Sequence, residues 1–256
     1  MLSNIKPFKL CENVYFVGST RVSVHLIDTE EGLVIIDTGY PDMLEQILES
    51  IHMLGFDEKN IVAIFHSHGH IDHFGTTIEL KNLSGAKTYI SRHDNLLVNG
   101  TKPLAWREEI NLPLDAFVFD CDVLVDDGDV FKFGSTEIRC VLTPGHTAGV
   151  LSFFVSTNGV VGAMHGGIGF NTLSDDYINK HGLGKGVRQD LFDGLNKVEN
   201  EDVDFVMGNH PQQSGTEQKL EMVERGESII NKGEWKHFIQ VVKKQLTDAY
   251  GEDLNV

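Results

Sequence analysis

Short apolar runs and apolar stripes of helical spacing alternate along this chain. The short runs have the length and composition of β-strands that are buried on both faces. They predict strands at residues 14–17, 22–28, 33–36 and 61–65 in the first half, and at 130–133, 137–142, 151–155 and 160–163 in the second. Turn-forming pairs separate the later runs, and one of them, Asn158-Gly159, is favourable for a tight hairpin.

Four stripes with apolar residues at three- and four-residue spacing predict helices. The first follows Pro41, a residue favoured at the start of helices, and ends before Gly55. The other three cover residues 187–198, 217–230 and 235–249, and the last presents Trp235 on a stripe that we expect to pack in the core. Strands and helices in this order predict an α/β fold.

Composition narrows the class of protein. The chain has 256 residues, 41% of them hydrophobic, and no linker-like segment divides it, so we expect a single domain over 1–256. A formal net charge of −17 disfavours nucleic-acid and anionic-membrane partners and leaves a small-molecule substrate, with the oligomeric state open. The cysteines Cys11, Cys121 and Cys140 are odd in number and widely spaced, and the N-terminus lacks the apolar core of a signal peptide. We therefore expect a cytoplasmic location.

The densest chemistry of the chain lies in residues 66–73, which contain four histidines and one aspartate after a predicted strand. Two later segments add one histidine each, in Thr-Pro-Gly-His-Thr and in Gly-Asn-His-Pro. Imidazole nitrogens with a carboxylate oxygen favour Zn²⁺, and Fe²⁺ or Mn²⁺ is not excluded. Six ligands suffice for two ions, each with an open position; the predicted set is His68, His70, Asp72, His73, His146 and His210.

Two nearby residues have more than one interpretation. His66 has the same spacing to His68 as His68 has to His70, but Asp72-His73 fixes the register and leaves His66 as a structural or supporting histidine. Asp37, at a predicted strand end, either supports the ligand loop or forms a turn.

Together, the H-x-H-x-D-H segment, T-P-G-H-T-x-G and a late histidine resemble the metallo-β-lactamase superfamily of hydrolases. Landmarks such as Asp37-Thr38-Gly39 and Asp127-Gly128-Asp129 extend the resemblance over nearly the whole chain. The likeness is greatest to the metallo-β-lactamases with a three-histidine first site and an Asp-His-His second site. It implies an αββα sandwich of two mixed sheets flanked by helices, with two Zn²⁺ ions. It assigns His68, His70 and His146 to the first ion, and Asp72, His73 and His210 to the second.

One stretch departs from the superfamily pattern. Most members place a metal-bridging aspartate after a central strand, whereas the corresponding residues 159–167 contain no carboxylate but include His165. The resembling lactamases also lack that aspartate and carry a small hydroxyl residue there. We expect His165 to face the pocket and to take part in catalysis, while a structural histidine facing away is the alternative.

The ligand set implies hydrolysis by a hydroxide held between the two ions, with Asp72 orienting it. The leading expectation is hydrolysis of a β-lactam ring, and the alternative is a lactonase or a glyoxalase II-like acyl-thioester hydrolase. Two long segments, 99–119 and 166–186, are expected to wall the pocket. Trp106 and Phe170 in these segments are either substrate contacts or packing residues. Lys180, Lys185 and Arg188 are weak candidates for binding a carboxylate, with a solvated surface as their default.

Overall fold

A computed structural model describes residues 4–113 and 115–255, so that the predicted domain of 1–256 is covered except for residues 1–3, 114 and 256. Its first sheet has seven strands that are neighbours in chain order. The first four strands pair antiparallel and the last four pair parallel, so the sheet is mixed. These strands are β1 (Phe8–Cys11), β2 (Val14–Phe16), β3 (His25–Thr29), β4 (Gly32–Ile36), β5 (Ile61–Phe65), β6 (Lys87–Ser91) and β7 (Val123–Val125).

The second sheet has five strands, and only its last pair is parallel. They are β8 (Val130–Phe133), β9 (Thr136–Leu142), β10 (Leu151–Thr157), β11 (Val160–Met164) and β12 (Phe205–Val206). Strands β10 and β11 are joined by the predicted tight hairpin, in which Asn158 and Gly159 have φ of 48° and 81°. Positive φ at both loop residues matches the right-handed twist of the strands.

Helices surround the two sheets; they include helices outside each sheet, and the helix of residues 216–224 packs against the core between the sheets. The helices are α1 (Leu44–Met53), α2 (Ile71–Phe74), α3 (Thr77–Ser84), α4 (Asn95–Val98), α5 (Asp175–His181), α6 (Gly186–Val198), α7 (Thr216–Glu224) and α8 (Glu234–Tyr250). Fully buried Phe65 and Phe153 meet between the two sheets, whereas Ile47 of α1 packs outside the first sheet and Trp235 of α8 outside the second. Three apolar layers thus hold four layers of structure together, which confirms the predicted sandwich of two mixed sheets flanked by helices.

Two helix boundaries differ from the prediction. Helix α1 begins at Leu44 and not directly after Pro41. Helix α7 ends at Glu224, although the apolar spacing predicted a helix up to residue 230. Gly226 has a φ of 73°, which a continuing right-handed helix cannot contain, so the backbone leaves the helix there in spite of the side-chain pattern. Among the described residues, no helix is long and apolar enough to cross a membrane.

Candidate metal centre

The first ligand segment connects strand β5 to helix α2. His68 and His70 lie on the loop after Phe65, and Asp72 and His73 lie in the single turn of α2. The helix begins at Ile71, and its turn directs Asp72 and His73 away from the backbone of the loop. A strand end, a short loop and one helix turn therefore hold four of the predicted ligands within six residues.

The other two ligands come from the second sheet. His146 follows strand β9, and His210 follows strand β12. The close approach of the His146 loop to helix α6 depends on Gly145, whose φ is 138° and on which a Cβ atom would stand 2.5 Å from the Cβ of Leu191. Glycine is the residue that permits both this conformation and this contact.

The ligand atoms converge into two overlapping groups. Those of His68, His70 and His146 all lie within 4.8 Å of one another, and so do those of His68, Asp72 and His73. The Nε2 atom of His210 lies 3.7 Å from Oδ2 of Asp72 and so adjoins the second group. The structure thus brings all six predicted residues together, but His68 is close to both sets and not to the first set alone.

Hydrogen bonds on the far side of the rings fix which nitrogen faces the cluster. Nδ1 of His146 lies 2.8 Å from the carbonyl oxygen of Gly169, and Nδ1 of His210 lies 2.8 Å from that of Arg21. A carbonyl accepts only from a protonated nitrogen, so Nδ1 of each ring donates and Nε2 carries the free lone pair. The buried Nε2 atom of His73 lies 3.3 Å from Oδ2 of Asp72 without hydrogen-bond geometry, and it has no hydrogen-bond partner among the described residues. A buried imidazole nitrogen beside a carboxylate oxygen in this arrangement fits a metal ion bound by both.

Asp37 supports the cluster from beneath. Its carboxylate accepts hydrogen bonds from the backbone N–H and the hydroxyl of Ser67, each at 2.7 Å, and from Nδ1 of His73 at 2.8 Å. The Ser67 hydroxyl lies 3.1 Å from Nδ1 of His68, so Asp37 orients one ligand directly and another through Ser67. Asp37 has a φ of 61°, an uncommon value for a non-glycine residue. These contacts agree with the interpretation that Asp37 supports the ligand loop, and not with that of a residue that only forms a turn.

Asp94 is a residue of the site that the sequence reasoning missed. Its Oδ2 atom accepts from the backbone N–H of Gly69 at 2.8 Å and from the hydroxyl of Thr147 at 2.6 Å. This single buried carboxylate therefore ties the loop of His68 and His70 to the loop of His146. Its one sequence signal is its place shortly after strand β6, at the sheet edge where the other ligand loops begin.

His66 and His165 are both buried but differ in their surroundings. His66 has Nδ1 at 3.0 Å from the Tyr89 carbonyl and Nε2 at 2.8 Å from the Thr77 hydroxyl, so both nitrogens are occupied by protein, as expected for a structural histidine. His165 accepts a 3.4 Å contact from the backbone N–H of Gly167, and its Nε2 has no partner among the described residues. It is not among the residues that line the two clefts described below.

Burial and charge set the protonation of the cluster. Burial lowers the pKa of His146 to about 4 and holds those of His68 and His70 well below the usual range, so these rings are neutral at pH 7. Burial also disfavours charge on His73, but the carboxylates of Asp72 and Asp37 outweigh it and raise the pKa of His73 to about 10. Asp72 keeps a pKa below its usual range because the charges of His73 and His210 outweigh its burial. The carboxylates of Asp72 and Asp37 thus stabilise a positive charge on His73, and the same carboxylates would stabilise a metal cation bound there.

A polar cleft opens onto the cluster. It has a volume of about 180 Å³ and both predicted wall segments contribute to it, through Trp106 in the first and Ile168, Gly169 and Asn171 in the second. Phe170, in contrast, packs with the core outside the second sheet. The complete lining is Tyr40, His70, Asp72, Trp106, His146, Ile168, Gly169, Asn171, Asn209, His210 and Gln213.

The three weak candidates for binding a carboxylate all have acidic partners. Lys180 pairs with Glu109, and both Lys185 and Arg188 pair with Asp253. Within the described parts of the chain, no lysine or arginine lines the polar cleft. The carboxylate of a bound molecule would therefore find no cationic side chain on the cleft wall.

The chain is similar in sequence to a protein superfamily and to individual relatives. Residues 17–161 match the metallo-beta-lactamase superfamily. An uncharacterized protein of Aquifex aeolicus is 30% identical over 54% of this chain and 62% of its own length, and a hydroxyacylglutathione hydrolase of Buchnera aphidicola is 32% identical over 48% of this chain and 38% of its own. The matches thus span less than two thirds of these relatives.

Among solved structures, a subclass B3 metallo-beta-lactamase of Bradyrhizobium japonicum is similar over 98% of this chain and 96% of its own, with a TM-score of 0.85 and 23% identity. At that identity the likeness shows the fold. The sequence match covers more than half of the chain and includes five of the six clustered residues. The chain therefore belongs to the metallo-beta-lactamase superfamily of metal-dependent hydrolases.

Proposed function

We propose that this protein is a dinuclear zinc hydrolase that cleaves a carbonyl compound, with the β-lactam amide as the leading substrate. The observation that carries the proposal is the pair of overlapping ligand groups that share His68. One tetrahedral zinc site uses four ligands, so six converging ligands support two ions with positions left for water and substrate. In this proposal His68, His70 and His146 hold one ion, and Asp72, His73 and His210 hold the other.

In this proposal some residues bind the metal ions, and others orient the attacking water or the ligand side chains. Zinc bound here would polarise the carbonyl group and lower the pKa of the attacking water from about 15.7 to about 7. Asp72, the one carboxylate of the cluster, accepts a hydrogen bond from that water and fixes its direction of attack. Asp37 keeps His73 and, through Ser67, His68 in the required orientation. Asn209, whose side-chain amide donates to the Gly166 carbonyl at 2.7 Å, forms part of the cleft wall. A catalytic role for His165 stays a prediction.

The similarity to lactamase structures supports the β-lactam as the leading substrate. A specific observation favours a second candidate, the hydrolysis of an uncharged lactone or an acyl thioester. β-Lactam antibiotics carry a carboxylate, and the described lining of the polar cleft offers it no lysine or arginine. A neutral ester or thioester needs no such partner. The sequence similarity to a hydroxyacylglutathione hydrolase supports thioester hydrolysis, but glutathione carries two carboxylates, so the charge argument applies to the neutral lactone.

Measurements of metal content and of catalytic activity test the proposal. We expect close to two zinc ions per chain by elemental analysis, and we expect His210→Ala to reduce this to about one, because His210 belongs to the second group only. His52→Ala is the matched control, since His52 pairs with Glu58 on the surface and should leave both ions in place. One ion at saturation in the wild type, with His210→Ala unchanged in metal and activity, contradicts the dinuclear site.

A substrate panel separates the two candidates. A penicillin, a carbapenem, a homoserine lactone and an acyl-glutathione thioester are compared by kcat/KM for the zinc-loaded enzyme. Preference for the penicillin or carbapenem supports the β-lactamase, and preference for the lactone or thioester supports the second candidate. Metal-loaded protein that hydrolyses none of the four refutes the proposed function.

A further inference from the structure

A second cleft lies beside the polar one and shares two of its walls. His70 and His146, both in the first ligand group, line the two clefts together. The surface of the second cleft, which we call the apolar chamber, is mainly apolar. Its apolar walls are Leu97, Leu104, Ala148, Tyr177, Leu183 and Val187.

The polar side chains of the apolar chamber lie in two places. His93, Lys102 and Asp190 are exposed at its rim, whereas the buried His70, Asp94 and Thr147 lie on or against the ligand loops. A mainly apolar surface with a few polar groups is typical of a pocket that takes up an apolar group. The chamber volume is about 140 Å³. A protein cavity of about 150 Å³ with aliphatic walls holds one benzene molecule.

The boundary between the two clefts is aromatic. Trp106 lines the polar cleft, Tyr177 lines the apolar chamber, and their rings stack at 5.5 Å between centroids with 26° between planes. The Trp106 ring also lies 5.5 Å from that of His70. Trp106 has a φ of 63°, a conformation that costs on the order of 1–3 kcal/mol in a non-glycine residue and persists only where the surroundings enforce it. A strained aromatic residue thus stands where a ligand would pass from one cleft to the other.

We propose that the apolar chamber binds the apolar acyl side group of the substrate, a phenyl ring or a chain of about six carbons, while the carbonyl group under attack lies at the metal cluster. The inference rests on the proposed carbonyl hydrolysis and names the substrate class: acyl compounds with one benzene-sized apolar substituent. The shared walls His70 and His146 put the two parts of one molecule on adjoining surfaces. Binding of this kind is specific for size, because the apolar surface of the chamber encloses a volume of only about 140 Å³.

Acyl thioesters of N-acetylcysteamine with two to ten acyl carbons test the proposal, since their leaving group is small and polar. Each methylene buried in the chamber should raise kcat/KM about 4-fold up to about six carbons, after which the rise should stop. Benzylpenicillin compared with 6-aminopenicillanic acid gives the same test on a β-lactam. We expect the benzyl compound to be preferred at least 10-fold.

Two variants locate the effect. Val187→Phe fills the chamber and should reduce the ratio of kcat/KM for hexanoyl over acetyl by at least 10-fold. Leu183→Ala enlarges it and should move the preferred chain length upward. Val241→Phe, on the exposed face of α8, is the control and should leave the ratio unchanged. A flat dependence on chain length, or the same dependence in Val187→Phe, overturns the proposal.

Binding without turnover makes the result independent of the proposed function. Toluene should raise the melting temperature of the wild type and of Val241→Phe, and should not raise that of Val187→Phe. If no acyl compound is hydrolysed but toluene binds in this way, the proposed function fails and the chamber stands as an apolar binding site. If hydrolysis occurs and toluene does not bind to the wild type, the chamber proposal fails and the hydrolase stands.

Discussion

Asp72 is the one carboxylate among the six clustered residues. Oδ2 lies 3.3 Å from Nε2 of His73 and 3.7 Å from Nε2 of His210, within the cluster. We expect Asp72→Asn to reduce kcat by at least 100-fold with a smaller effect on KM, because orientation of the attacking water matters mainly in the transition state. Steady-state kinetics on protein with verified zinc content measure this.

The control for that variant is Asp126→Asn, which removes a surface carboxylate paired with Arg92 and should leave both constants unchanged. A metal-loaded Asp72→Asn enzyme with wild-type kcat contradicts the assigned role and means that another group orients the water.

Asp94 also has a role as a single residue, but it contacts no reacting atom. It is a positioning residue that joins two ligand loops through Gly69 and Thr147. We expect Asp94→Ala to weaken zinc binding by about 10- to 100-fold, the usual loss when support behind a ligand is removed, and Asp94→Asn to restore part of it because an amide oxygen still accepts. Competition with a zinc chelator measures the affinity.

Asp122→Ala is the matched control for Asp94. Asp122 also accepts from backbone and side chain, at Thr88 near the start of strand β6, whereas Asp94 follows the end of that strand. The Asp122→Ala variant should lower the free energy of unfolding without altering the affinity for zinc. Equal losses of affinity in the two variants would reduce the role of Asp94 to general stability.

At the scale of elements, the position of His146 depends on how closely its loop approaches helix α6. A Cβ atom at Gly145 would meet three atoms of Leu191 at 2.5 to 2.7 Å, two of them in the helix backbone. Gly145→Ala should therefore push the loop and helix apart, at a cost of about 1–3 kcal/mol for overpacking in addition to the strain at a φ of 138°. Denaturant unfolding and zinc content should both show a loss.

The control variant Gly159→Ala separates the cost of backbone strain from the cost of overpacking. Gly159 also has a positive φ, of 81°, but a Cβ atom there would meet nothing within 4 Å. This variant should lose only about 1–2 kcal/mol from backbone strain and keep its zinc. A Gly145→Ala protein that retains both ions shows that the approach of loop and helix is not needed for the site.

At the scale of the whole molecule, a buried histidine links the two sheets. His25 is in β3 of the first sheet, and its Nε2 lies 3.1 Å from the carbonyl oxygen of Gly208, just after β12 of the second. Burial lowers the pKa of His25 to about 4, from 6.5 in an unfolded chain. Between these values the unfolded chain binds a proton that the folded one does not, so the stabilisation is lost as the pH falls from about 6.5 to 4.

The expected size of this loss follows from the difference in pKa. Between pH 7 and pH 5 the single site should lower the free energy of unfolding by about 2 kcal/mol. His25→Gln keeps a donor for Gly208 but does not titrate, so it should show a correspondingly smaller loss than the wild type. Urea unfolding of both proteins at the two pH values measures the difference, and parallel pH curves would contradict the assignment.

The sequence by itself determined the α/β class through its apolar patterns, the two-sheet sandwich through the resemblance of its motifs, and the six clustered residues. Apolar runs and stripes are local patterns, and four of the ligands lie within a stretch of six residues that begins three residues after a strand end. Their convergence therefore required only the strand, a short loop and the helix turn that follow one another in the chain. The two remaining ligands were identified by the resemblance of short motifs. Helix α7 was overestimated because its side-chain spacing continues past Gly226, where the backbone conformation cannot.

Only the tertiary structure decided which residues support and surround the cluster. Asp94 contacts Gly69 and Thr147, which are 25 and 53 residues away, and His66 is satisfied by Tyr89, which is 23 away. The apolar chamber joins side chains from four separate segments. Such contacts depend on how strands are ordered in a sheet and how helices pack on it. No local pattern of polar and apolar residues contains that order, because many strand arrangements bury the same apolar faces equally well.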